Sequence, residues 1–92
     1  MQLAGHQLYH FTLCPYCVKV RLALRWMGIE LPLKDILTDP EYRAELIAGG
    51  GKPQVPCLRI QEDGGIIRWM YESNDIIRYL NRQRSSPSKP LA

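Results

Sequence analysis

The first 35 residues of this chain spell a strand, a helix and a second strand. Gln7 to Phe11, with Leu8, Tyr9 and Phe11, reads as a short strand. From Pro15 onward Cys17, Val20, Leu24 and Met27 recur at steps of three and four, the single apolar stripe of an amphipathic helix. Pro15 suits the first helical position, where a missing N–H costs nothing, and Gly28 suits the stop. Glu30 to Asp35 is the expected second strand. Such a unit joins two parallel strands through a right-handed crossover, so the chain commits early to an α/β sheet.

The remainder extends that sheet. Asp39-Pro40-Glu41 starts a second helix, with Asp39 as cap and an acidic first turn. This helix is expected to run to about Ala48 and to end at Gly49-Gly50-Gly51. Val55 to Ile60 and Ile66 to Trp69, separated by Gln61-Glu62-Asp63-Gly64-Gly65, read as an antiparallel hairpin. Ser73 is placed as the cap of a last helix whose buried side is Ile76, Ile77 and Leu80. From Arg84 the chain turns to Ser, Pro and Lys, which divides it into a domain over 1–83 and a disordered tail over 84–92. The order is βαβ, then α, then ββα: a four-stranded mixed sheet flanked by three helices, the α/β thioredoxin fold in its minimal form. Trp26, Trp69 and Tyr79 are expected in the core or lining a groove, and Tyr16 exposed.

A length of 92 residues allows one domain and not two. With 46% hydrophobic and 23% charged residues the balance is that of an ordinary globular protein. No apolar run approaches the ~18 residues of a membrane helix. Met1 to His10 lacks the basic start and apolar middle of a secretory leader. The net charge of +3 comes with arginines scattered along the chain, so it gives no nucleic-acid footprint. Three cysteines, an odd number, cannot form a fully paired framework. Two of them stand together as Cys14-Pro15-Tyr16-Cys17. Close pairing without a leader points to a reducing, cytoplasmic compartment and to redox or metal chemistry.

Cys14 falls at the N-cap of the first helix, where free backbone N–H groups and the helix dipole favour negative charge. Helix N-termini and C-x-x-C settings typically bring a cysteine from about 8.5 to roughly 3.5–7.5, which makes Cys14 the candidate nucleophile. Cys17, one turn further in, suits a less exposed resolving thiol. Lys19 reads as a solvated surface lysine. On the residues alone two other readings stay open: half of a zinc site completed by Cys57, His6 or His10, and a structural disulfide. Cys57 by itself reads as a buried free cysteine.

Three ordered motifs then resemble the dithiol glutaredoxin family. Cys14-Pro15-Tyr16-Cys17 looks like its active site, Lys52-Pro53-Gln54-Val55-Pro56 like its Val-Pro signature, and Tyr71-Glu72-Ser73-Asn74-Asp75-Ile76 like its third, at the start of the last helix. The resemblance covers about Gln7 to Asn81. It implies a thiol–disulfide oxidoreductase with Cys14 and Cys17 as catalytic residues, and with glutathione as co-substrate and no metal. Pro15, Tyr16, Lys52, Val55, Pro56, Glu72, Ser73 and Asn74 are then the glutathione-binding residues. A cis Val55-Pro56 bond presents the Val55 main chain to an extended peptide, as if adding a strand. Ser73 and Asn74 offer helix N–H groups to the γ-glutamyl carboxylate. Glu72-Ser73 also resembles the glutamate–serine pair of glutathione transferases, and Lys52 is a partner for the glycine carboxylate. Many glutaredoxins carry a lysine about three residues before the nucleophile. Here Phe11, Thr12 and Leu13 fill that stretch, which leaves the task to Lys52 or Arg68.

The implied partners are glutathione and disulfide or glutathionylated proteins, with no nucleic acid and no membrane, for a monomer. Alternatives within the resemblance are a glutathione-ligated iron–sulfur carrier and a glutathione-transferase-like domain.

Overall fold

In the computed structural model, which describes residues 1–85, the strand–helix–strand unit forms as β1 (His6–His10), α1 (Pro15–Met27) and β2 (Leu33–Asp35). β2 is shorter than its sequence pattern. Pro32 has no N–H to give a ladder, although its carbonyl accepts from Leu8 N–H at 2.9 Å, and Glu30 makes only an isolated bridge with Gln2. Paired strand therefore starts at Leu33.

The other elements are α2 (Pro40–Gly50), β3 (Cys57–Gln61), β4 (Ile67–Met70) and α3 (Ser73–Ser85). Asp39 caps α2, accepting from Glu41 N–H at 2.9 Å. The helix continues through Gly49 and Gly50 to a left-handed Gly51, two residues beyond the expected end. Packing explains the extension. A Cβ on Gly49 would lie 2.1 Å from the Trp69 ring, and one on Gly50 would lie 2.0 Å from the Tyr71 hydroxyl. Ser73 is the first residue of α3 and not its cap. The Glu72 carbonyl takes the first helical bond, from Ile76 N–H at 2.9 Å. Arg84 and Ser85 are helical, and the rest of the expected tail lies outside the described residues.

The sheet order is β2-β1-β3-β4, with β1 parallel to β2 and the other pairs antiparallel. This is the mixed four-stranded sheet with three helices expected of a thioredoxin fold. Because side chains alternate along a strand, Leu8 and Tyr9 of central β1 found two separate cores. Leu8, Leu58 and Ile60 pack with Val20, Leu24 and Met27 of α1 and with Ile76, Tyr79 and Leu80 of α3. Tyr9 and Cys57 pack on the other face with Ile36 and with Leu46 of α2, and Trp69 and Tyr71 close that cluster.

Trp26 is a correction. It is 77% exposed, neither core nor groove, and the Arg84 guanidinium stacks over its ring, 5.1 Å from the centroid. It sits one residue, about 100° of helix rotation, from the buried Met27, enough to turn it outward.

Filling the Gly49 contact tests the packing of α2 on β4. Gly49→Ala should lower the unfolding free energy by about 1–3 kcal/mol, because Trp69 or α2 must move to admit the methyl group. Urea unfolding reads this, and an unchanged midpoint contradicts it.

Candidate functional site: the Cys14 turn and its cleft

Tyr9 and His10 end β1, and a short turn reverses the chain into α1. Cys14, at φ −66° and ψ 121°, is the N-cap, and Pro15 is the first helical residue. The Cys14 sulfur accepts from Cys17 N–H at 3.4 Å, so the thiol itself makes the capping bond that Ser or Asp makes elsewhere. The Cys14 N–H donates to the Phe11 carbonyl at 3.3 Å, closing the turn. Cys14 keeps 6% of its surface exposed, whereas Cys17 and Cys57 are fully buried. All three are free thiols.

Burial raises two of the three. It pushes the Cys17 thiol up to about 12, and the neighbouring Cys14 sulfur adds to the rise. Burial also pushes Cys57 up to about 12, against partial relief from the Tyr71 hydroxyl. Both are therefore held as thiols at neutral pH. Cys57 belongs to the core beneath α2, as its sequence context suggested.

Beside the turn lies a cleft of about 260 Å³ lined by Tyr16, Gln54, Val55, Pro56, Tyr71, Glu72 and Ser73. Three segments far apart in sequence meet here: the C-x-x-C turn, the loop before β3 and the start of α3. The Val55–Pro56 bond is cis. Tyr16 is 63% exposed, as expected of the aromatic in the C-x-x-C turn.

Two sequence-named residues sit next to the cleft. Lys52 lies over the Tyr71 ring, its Nζ 4.7 Å from the centroid, and Tyr71 donates its hydroxyl to the Lys52 carbonyl at 3.0 Å. Asn74 at the start of α3 accepts a hydrogen bond from Lys19, so Lys19 ties α1 to α3 and is not simply solvated. Arg68 is a correction. It pairs with Glu62 at 3.0 Å and stacks on Tyr79, at the strand position opposite Ile60 and His6, the end of the sheet away from Cys14. It cannot replace the lysine absent before Cys14. Tyr71 and Gln54 were not singled out as site residues. An aromatic directly before Glu72-Ser73 was the signal for Tyr71, but its reach over the loop needed the sheet.

The histidines do not complete a zinc site with the cysteines. His6 Nε2 meets the Tyr79 hydroxyl at 2.7 Å, and His10 Nδ1 meets Arg21 at 3.1 Å. Among the described residues no three His, Cys, Asp or Glu side chains converge. Among them, too, no helix is long and apolar enough to cross a membrane.

A thiol-capped helix at the end of the central strand, facing a Val–cis-Pro loop, defines a thioredoxin-fold domain with a C-x-x-C site. Within that class the chain belongs to the family described as glutathione S-transferase, N-terminal domain, whose pattern matches residues 13–83. It is 33% identical to Glutaredoxin 2 of Escherichia coli K12 over 81 residues, which cover 88% of this chain and 35% of that protein. The chain thus spans about a third of the length of the curated relatives it matches. Glutaredoxin 2 from Salmonella typhimurium, solved in complex with glutathione, superposes with a TM-score of 0.67 at 28% identity, over 95% of this chain and 37% of that one. A thioredoxin-like protein superposes with a TM-score of 0.65 at 22% identity, over 86% of this chain and 97% of that one, a likeness of fold alone.

Iodoacetamide at about pH 7 should modify Cys14 well before Cys17 or Cys57 in the folded protein, because only thiolates react and burial holds the other two protonated. Peptide mass mapping reads the order, and early labelling of Cys17 contradicts it.

The same shifts predict alkaline sensitivity. From an ordinary value of 9.0, folding raises Cys17 and Cys57 to about 12, so the folded state keeps protons that the unfolded chain releases. Stability is then complete below pH 9 and is lost as pH climbs toward 12. Urea midpoints should fall from about pH 8 to about pH 11, and Cys57→Ala should make the fall shallower. A parallel fall in both proteins would refute the assignment.

Proposed function

We propose that this domain is a glutaredoxin-type thiol–disulfide oxidoreductase in which Cys14 is the nucleophile and glutathione the co-substrate. The observation that carries the reading is the Cys14 sulfur at the α1 N-terminus, beside a cleft whose walls are Tyr16, Val55, Pro56, Glu72 and Ser73. The identity to Glutaredoxin 2 and the glutathione-bound Salmonella relative support it.

In the reaction, Cys14 thiolate attacks the glutathione sulfur of a mixed disulfide. The old S–S bond breaks, the protein thiol leaves with the electron pair and takes a proton, and Cys14 becomes glutathionylated. A second glutathione thiolate attacks the glutathione sulfur on Cys14, releasing glutathione disulfide and restoring the Cys14 thiolate. With a protein disulfide as substrate, Cys14 forms a mixed disulfide with one protein sulfur and releases the other. Cys17, giving up its proton, then attacks the Cys14 sulfur, breaks the mixed disulfide, frees the second protein thiol and leaves a Cys14–Cys17 disulfide that two glutathione thiols reduce. Two of the influences that raise Cys17 come from the Cys14 sulfur. They weaken once that sulfur is tied up in a disulfide, just when Cys17 must react.

Glutathione would lie in the cleft with its main chain against Val55. Its γ-glutamyl carboxylate would meet the N–H groups of Ser73 and Asn74 at the α3 N-terminus, where the helix dipole favours an anion. Glu72 would face the amino group, and Lys52 the glycine carboxylate. Residues 1–83 form the working unit, acting as a monomer in a reducing, cytoplasmic compartment on disulfide or glutathionylated proteins.

A second reading, a glutathione site of transferase type, is favoured by the family match itself. Conjugation of a model electrophile would support it.

A glutathione-coupled assay on a glutathionylated peptide separates these. Cys14→Ser should fall to background while Cys17→Ser retains most activity. Lys52→Ala should raise the glutathione KM about fivefold, the effect of one exposed ion pair. Full activity in Cys14→Ser would refute the nucleophile.

A further inference from the structure

The segment that carries Cys14 is held by a side chain outside the cleft. Arg21 lies on α1, about two turns beyond Cys14. Its guanidinium reaches back over the turn, Nη2 donating to the Thr12 carbonyl at 2.8 Å and Nη1 to the Phe11 carbonyl at 3.4 Å. Nη1 also lies 3.1 Å from His10 Nδ1. A guanidinium has only donors, so Nδ1 must be the bare, accepting nitrogen, and His10 is neutral with its proton on Nε2. One side chain thus engages three successive residues, His10, Phe11 and Thr12. From the other side the Asp35 carboxylate accepts from the Thr12 hydroxyl at 3.2 Å, and itself accepts from the Leu37 and Thr38 N–H groups at 2.8 and 3.2 Å. The Phe11 carbonyl that Arg21 holds is also the one that accepts from Cys14 N–H.

We propose that Arg21 and neutral His10 form a brace that positions Cys14 for reaction, and that protonating His10 releases it. This rests on Cys14 being the reactive thiol of the function proposed above. Protonation would turn the accepting nitrogen into a second donor aimed at a cation, so the contact becomes repulsive. The groups facing His10 are Arg21 from α1 and Asp35 from β2. Cys17 of α1, also within reach of the Arg21 charge, stays neutral across this range. His10 is 7% exposed, and burial first and Arg21 second hold its pKa below the ordinary 6.5, with Asp35 opposing. The sign follows: the brace is whole above 6.5 and is lost as pH falls through the lower, folded value.

Two variants keep the test independent of folding defects. His10→Asn places an amide oxygen near the position of Nδ1 and does not titrate. Arg21→Lys keeps the charge but loses the fork that holds two carbonyls. Iodoacetamide labelling of Cys14 and glutathione-coupled disulfide reduction are measured in parallel from about pH 4 to about pH 8. Acid loss intrinsic to thiol chemistry is common to both proteins and cancels in the ratio of His10→Asn to wild type. That ratio should lie within about twofold of one near pH 7.5 and rise about fivefold or more toward the acid end of the range, as the wild-type histidine protonates below its ordinary 6.5. Arg21→Lys should slow both reactions about tenfold at neutral pH, with the thermal midpoint reported alongside. A ratio flat across the range, or full neutral reactivity in Arg21→Lys, overturns the brace. If labelling follows the expected pattern while no disulfide is reduced, the brace stands and the oxidoreductase reading falls.

Discussion

Central β1 has strands on both sides, parallel β2 and antiparallel β3, and it can shift toward neither without breaking a ladder. Leu8 and Tyr9 anchor it to opposite cores, so its carboxyl end is immobilised in all directions. The turn that follows needs no more than four residues to reach α1, and Cys14 is the last of them. The fixed strand end therefore dictates where the first N–H groups of α1 point, and the sulfur that caps them is placed by the sheet. Cleft, brace and C-x-x-C turn are all built outward from that strand end.

The second wall of the site depends on a different device. Gly49 and Gly50 let α2 lie directly on Trp69 and Tyr71, closer than any residue with a Cβ permits. Tyr71 is thereby held with its hydroxyl on the Lys52 carbonyl and its ring under the Lys52 ammonium. Two glycines that a sequence reading treats as a helix stop thus shape the loop leading to Val55. The cost of glycine inside a helix is on the order of 1 kcal/mol per residue, and the aromatic contacts offset it.

Charge is distributed with the same economy of contacts. Tyr9 donates to Glu45, and Lys34 pairs with the same carboxylate, so these three side chains satisfy one another, while Gln7 Oε1 on the same face is buried without a partner among the described residues. On the opposite face His10, a buried polar residue of a strand, finds its partner in Arg21 of α1. Buried polar groups left without partners are costly, and the pairing shows why β1 tolerates tyrosine and histidine at its carboxyl end.

Much was legible in the residues themselves. Periodicity placed α1 and its buried stripe, Pro15 and Gly28 marked its ends, and the Asp-Gly turn marked the hairpin, because each is a local preference of the backbone. Cys14 at a helix N-cap was legible for the same reason. The length of β2, the outward face of Trp26 and the continuation of α2 through two glycines were not, because each depends on what packs opposite. Arg68 shows the limit most plainly: as a cation it fitted the site that the resemblance implied, and only the β3–β4 register carried it to the far end of the sheet. Local sequence decides which way a residue turns along its own element. Only the tertiary structure decides which distant segment it meets, because strand register and helix packing are set by contacts between residues far apart in the chain.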